Sequence, residues 1–160
     1  MVGYVLLISF AVIMGVIVYN WLKTYIPREA LQCPEGVSVF IRDISCEDLG
    51  NGNYTLYLNL TNNGRFDFDG FFIKATRTPE QTIATWDIAP LIISGGNEAG
   101  GVVRLSQGAL EPAEIAENIK FELNNKTYIV EILPIKYQII DGKQKLAGCG
   151  EAKVQEDVVC

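Results

Sequence analysis

The first 19 residues, MVGYVLLISFAVIMGVIVY, contain no charged side chain. An apolar run this long is a candidate for a membrane-spanning helix, and it starts without the basic residues that lead a secretory signal peptide. Something must bury it. About 18 apolar side chains at roughly 1.5 to 3 kcal/mol each make exposure to water prohibitive. A bilayer can cover them, and so can many copies of the same helix packed side by side.

The spacing predicts a helix from Met1 to Ile26, about 39 Å long at 1.5 Å per residue, against a bilayer core of about 30 Å. From Val2 to Tyr19 it can be buried on every side. Asn20, Trp21, Lys23 and Tyr25 then supply the aromatic and snorkelling side chains found where apolar surroundings meet water, and Pro27 closes the segment. The small residues Gly3, Ser9, Ala11 and Gly15 punctuate the run. Gly3, Ala11 and Gly15 are the candidate packing positions, and Ala11 with Gly15 forms a small-xxx-small pair that lets a second helix approach.

The chain divides on composition into residues 1–32, helix and linker, and residues 33–160, long enough to bury a core of their own. The net charge is −6. Because Lys23, Arg28 and Glu29 contribute +1, residues 33–160 carry −7. Their basic residues are scattered singly among carboxylates, which argues against nucleic acid as a partner.

Four cysteines, Cys33, Cys46, Cys149 and Cys160, stand at the two ends of this second region. An even count suggests disulfides, with three pairings open. The local ones, Cys33 with Cys46 and Cys149 with Cys160, would each close a short loop worth about 3 kcal/mol. Zinc is the rival, but its four-cysteine sites use pairs two to four residues apart. Disulfides imply an oxidising compartment. The triplets beginning at Asn53, Asn59 and Asn125 fit the N-x-[ST] acceptor pattern; their bland reading is as ordinary strand and turn residues.

After Cys33 the pattern changes to short alternating stretches, which read as strands. Val37, Val39, Ile41 and Ile44 lead, followed by Tyr54 to Asn62 with Leu56, Leu58 and Leu60 on one face. Asp48 to Asn53 makes a hairpin turn, Asn62-Asn63-Gly64 the next turn, and Gly70 to Arg77 the third strand. Further strands are predicted at 82–88, 101–105, 119–123 and 127–133. Pro134 interrupts a final strand to Ile140, which suggests an edge or a bulge, and Asp141-Gly142 turns the chain into 143–146. Pro112 to Asn118 is the one candidate helical turn. Seven to nine such strands make a β-sandwich.

The chain has no histidine, so the commonest general base and metal ligand is missing. No G-x-S-x-G, P-loop or G-x-G-x-x-G motif stands in a strand-to-helix context; Gly95-Gly96 and Gly100-Gly101 read as loop glycines around Asn97. Asp67 and Asp69 alternate with Phe66 and Phe68. Two carboxylates could hold Ca²⁺, but a solvated strand face with both phenylalanines in the core is the better reading. Trp86 reads as a core anchor rather than a sugar platform. The chain is expected not to be an enzyme and to need no cofactor, with N-linked glycans as its one candidate modification.

Gly3-Tyr4-Val5-Leu6-Leu7-Ile8-Ser9, continued by Val16-Ile17-Val18-Tyr19-Asn20-Trp21-Leu22-Lys23, resembles the mature N-terminus of archaeal type IV pilins and archaellins. Leu56 to Ala75 is similar to the β-sandwich domains of archaeal surface proteins. The resemblance implies an α+β chain: a long N-terminal hydrophobic helix followed by an all-β immunoglobulin-like sandwich. In that family a prepilin peptidase cuts a signal peptide just before the helix. The Lys/Arg-Gly site is not found ahead of the run here, so the expectation is a processed form or a shortened reading frame. Bacterial type IV pilins carry a glutamate near the mature N-terminus, whereas none stands in the first 22 residues.

The function expected from this resemblance is that of a structural subunit of an extracellular filament, a pilus or archaellum-like helical homopolymer serving adhesion or motility. The chain would sit in the membrane before assembly and depend on pilus assembly machinery. Trp21 and Tyr25 would lie where helical core meets outer sheath. The alternative is a single-pass, membrane-anchored surface domain that binds a ligand.

Overall fold

A computed structural model describes residues 2–25, 32–140 and 142–160. The chain forms two compact units, Met1–Ala30 and Leu31–Cys160. The first holds helix α1, Val2–Tyr25. Ile26, the predicted stop at Pro27, and Asp141 of the Asp141-Gly142 turn lie outside the described residues, as does the side chain of Tyr25.

The second unit is built from strands β1 (Val39–Gly50), β2 (Asn53–Asn62), β3 (Gly70–Ala75), β4 (Trp86–Asp87), β5 (Ile92–Ser94), β6 (Gly96–Ala99), β7 (Val102–Leu105), β8 (Ile115–Leu123), β9 (Ile129–Ile140), β10 (Lys143–Gly148) and β11 (Val154–Asp157). They form two antiparallel sheets, ordered β1-β2-β8-β5 and β10-β9-β3-β7-β6, with β11 on β9 and β4 on β3. The result is the expected helix followed by a β-sandwich. Leu56, Leu58 and Leu60 of β2 face inward as their alternation requires, meeting Phe68, Phe71 and Ile132 in one core. The first hairpin turns at Asn51-Gly52, both with positive φ, the two-residue geometry that suits the twist of its strands.

Among the irregularities in register, two bulges change which residues face inward. In β1, Ile41 faces Leu60 and Asp43 faces Asn59, which leaves Arg42 as an extra residue. In β8, Ala116 opposes Leu60 and Ile119 opposes Leu58. Two residues, Glu117 and Asn118, therefore stand opposite Asn59, and Asn118 adopts φ 61°. The second bulge corrects the prediction of a helical turn at 112–118. Ala116 and Ile119 are both buried, and their spacing of three imitates a helix because a bulged strand repeats its inward positions that way.

Residues 82–88 also depart from prediction, since only Trp86 and Asp87 pair. Trp86 is half-buried against the core rather than anchored in it, with the Arg77 guanidinium 4.7 Å from its ring centroid. Gly96 belongs to a strand and not to a loop. At Gly95 the chain leaves the first sheet, where Ser94 pairs with Lys120, and joins the second, where Gly96 pairs with Leu105. A Cβ on Gly95 would lie 2.7 Å from the Cα of Ile119. Only glycine lets the backbone turn this corner so close to β8.

Pro134 does not end its strand. On one side it pairs with Phe71 of β3; on the other, β10 covers Ile135 to Ile140 and β11 covers Ile129 to Ile132. The proline falls in the gap between these neighbours, where its carbonyl accepts from the Cys149 N–H at 2.9 Å. Its missing donor costs no ladder bond there.

The disulfides form, but not as the local pairs. Cys33 bonds Cys149 and Cys46 bonds Cys160, with Cα atoms 5.0 and 4.8 Å apart. Cys46 stands in β1 of one sheet, while Cys149 and Cys160 flank β11, which pairs into the other. The bonds therefore staple the two sheets along the side where β1 meets β11. Closure of the sandwich, which sequence spacing does not contain, brings these ends together.

Candidate functional site

The candidate element is α1. Every side chain from Gly3 to Lys23 is exposed, and none before Lys23 is charged, so the apolar surface runs round the whole helix and not along one stripe. From Gly3 to Lys23 it is long and apolar enough to cross a membrane. The Ser9 hydroxyl is compatible with burial, because it donates to the Val5 carbonyl at 2.9 Å. The Lys23 ammonium lies 5.2 Å from the Tyr19 ring centroid, placing charge and aromatic surface together at the C-terminal end. Trp21, 62% exposed, belongs to the same end.

Gly3, Leu7, Ala11 and Gly15 follow one another at intervals of four along a single helical ridge. A Cβ at Gly3 or Gly15 would meet nothing within 4 Å. Among the described residues no contact calls for either glycine, and a mid-helix glycine such as Gly15 costs about 1 kcal/mol relative to alanine.

Two of the sequon asparagines, Asn53 and Asn59, belong to β2 of the first sheet, and Asn125 stands in the connection from β8 to the second sheet. Asn53 and Asn125 are exposed, at the start of β2 and between β8 and β9. Asn59 is half-buried at the β8 bulge, where its Oδ1 accepts the Asn118 N–H at 2.9 Å. The same face carries Tyr57, whose hydroxyl donates to Glu47 at 3.1 Å; that bond raises the phenol pKa above its ordinary value.

Asp67 and Asp69 are not a solvated strand face. The Lys136 ammonium donates to the Asp67 carboxylate at 2.7 Å and to its carbonyl at 3.0 Å, while the Asp69 carboxylate accepts the Tyr137 N–H at 2.7 Å. Both carboxylates thus dock β9. The bond from Lys136 holds the Asp67 carboxyl below its ordinary pKa, against the opposing effect of partial burial. Phe68 is buried, but Phe66 is 45% exposed. The segment before Asp67 is turn rather than strand, so alternation does not govern it. Among the described residues no group of three or more His, Cys, Asp or Glu side chains is placed to hold a metal.

The residue missed from sequence is Asn62, which is fully buried. Its Nδ2 donates to the carbonyls of Phe66 at 2.9 Å and Leu110 at 2.7 Å, and its Oδ1 accepts the Gly64 N–H at 2.9 Å. One amide thereby satisfies the turn after β2 and ties it to the strand connection before β8. A signal for it existed, since Asn62 continues the inward series Leu56, Leu58, Leu60. Gly64 is fixed by crowding: a Cβ there would lie 2.5 Å from the Gly36 carbonyl oxygen and the Ser38 nitrogen.

Comparison with protein-family models, curated proteins and solved structures finds no match for this chain. The functional reading therefore rests on the helix and the sandwich themselves.

Proposed function

We propose that this chain is the structural subunit of an extracellular, type IV pilus-like helical filament, polymerising through α1 with the sandwich outside and serving adhesion or motility. The observation that carries the reading is the surface of α1 from Gly3 to Leu22, uncharged and exposed on every face. A helix surrounded by copies of itself buries all of that surface, and contacts between unlike patches that do not close into a ring generate a filament. The ridge of Gly3, Ala11 and Gly15 supplies close approach between helices. Two disulfides and three sequons suit a sandwich displayed outside the cell.

A second reading is favoured by the length of the same helix. From Gly3 to Lys23 it can cross a bilayer, which suits a single-pass anchor for a surface binding domain. Electron microscopy of protein purified without detergent separates the two. Long fibres with a helical repeat are expected for a filament subunit; monomers confined to micelles under every condition would overturn that reading and leave the anchor. In a filament, Ala11→Asp or Gly15→Asp abolishes fibres while the sandwich stays folded.

A further inference from the structure

The four cysteines divide the sandwich unit into an initial stretch from Cys33 to Cys46, a long middle stretch to Cys149 and a final stretch to Cys160. The bonds join the first cysteine to the third and the second to the fourth. Two short covalent routes therefore connect Cys33 with Cys160. One crosses at once to Cys149 and follows the final stretch; the other follows the initial stretch and crosses from Cys46. Neither passes through the middle stretch, which holds β2 to β10.

We propose that the crossed disulfides form a tension bypass: force entering at Cys33 and leaving through the C-terminal segment runs along these short covalent routes and not along the backbone of β2 to β10. Cys33 is where force from α1 arrives, whether copies of α1 or a bilayer holds that helix, so the bypass does not depend on the filament reading. The C-terminal segment is open to a pull from outside, with Gln155, Glu156, Asp157 and Val159 exposed. Without the bonds, force at Cys33 would peel β1, an edge strand, from its Val39 end one rung at a time. With them it passes to Cys149, whose N–H is bonded to Pro134 in the middle of β9. The device is redundant, because each bond alone completes one short route. Local pairing would not do this, since Cys33–Cys46 and Cys149–Cys160 leave the whole middle stretch in series with the pull.

Single-molecule stretching of the full chain in detergent micelles tests the bypass. Clickable residues replace Gln32, whose backbone carbonyl and not its side chain accepts from Gln138, and are appended after Cys160. At about 3.5 Å per extended residue, the oxidised protein should reach a contour of no more than about 60 Å between the handles. After reduction it should reach about 450 Å. The paired variants Cys33→Ser/Cys149→Ser and Cys46→Ser/Cys160→Ser should each stay short under oxidising conditions. Oxidised wild-type protein that extends to about 360 Å, the length left by local pairing, or to the reduced length, overturns the proposal. The comparison of oxidised with reduced protein needs no cysteine variant to fold, and its failure would leave the microscopy of filaments unaffected.

Discussion

Cys46 reaches Cys160 because the extra residue at Arg42 lets two sets of β1 positions share one face. Upstream of the bulge the odd residues Val39 and Ile41 point into the core; downstream the even residues Ile44 and Cys46 do. Cys46 thereby stands opposite Leu56, facing the other sheet. An unbroken alternation from Val39 would have turned its sulfur to solvent.

Removing the disulfides should be more than additive. Closed alone, a bond spanning 116 or 114 residues contributes about 5 kcal/mol through chain entropy. Once the first is closed, the second closes a ring of only about 25 residues, worth about 3.5 kcal/mol. Each paired Cys→Ser variant should therefore lose about 3.5 kcal/mol, and the variant lacking all four cysteines about 8 kcal/mol. Urea unfolding of the three proteins measures this, and strict additivity would indicate loops that do not share chain.

Asn62→Ala should cost about 2 to 3 kcal/mol, because it leaves the buried Leu110 carbonyl, the part-buried Phe66 carbonyl and the Gly64 N–H without their partners. Asn62→Asp should cost more. It keeps the acceptor for Gly64 but replaces the two N–H donors by an oxygen aimed at the carbonyls of Phe66 and Leu110. Urea midpoints at neutral pH rank the two.

What was legible and what was not follows from locality. The helix, the Asn51-Gly52 hairpin and the inward leucines of β2 are properties of neighbouring residues, so the sequence displays them. The bulges at Arg42 and Asn118 are different. Each converts alternation into a spacing of three, and nothing local tells Ala116 and Ile119 in a bulged strand from the same residues on a helix. The corner at Gly95 and the clamp at Asn62 depend on chain that arrives from far away, as does the choice among cysteine pairings. The apolar surface of α1 was plain from the start, since it needs no fold to define it.

Acid should remove one identifiable contribution. The Asp67 carboxyl is held below its ordinary pKa by Lys136, so the ion pair stabilises the fold above the unfolded-state value of about 3.9. That contribution is lost as pH falls through the lower folded-state value. Asp67→Asn keeps an acceptor for Lys136 without the charge. Wild type should be the more stable at pH 7 by less than about 1 kcal/mol, since the carboxylate is 42% exposed and solvent screens the pair. The difference should vanish once the pH has fallen below the folded-state value. Thermal unfolding at several pH values reads it, and a gap that widens in acid would contradict the assignment.

Gly15→Ala separates the needs of the lone helix from those of the assembled one. In the single chain a methyl group at Gly15 meets nothing within 4 Å, and alanine favours the helix by about 1 kcal/mol. Judged within the chain, the substitution is an improvement. If α1 packs against copies of itself along Gly3, Ala11 and Gly15, the same methyl group stands where another backbone approaches, and assembly should weaken although the helix is better formed. The expected result is unchanged or higher helicity in micelles, unchanged melting of the sandwich, and shorter or fewer filaments at equal protein concentration. Gly3→Ala should act in the same direction, whereas Val12→Ala, off this ridge, should act only through lost apolar area. Filaments of normal length and number from Gly15→Ala would show that the ridge is not where the helices meet.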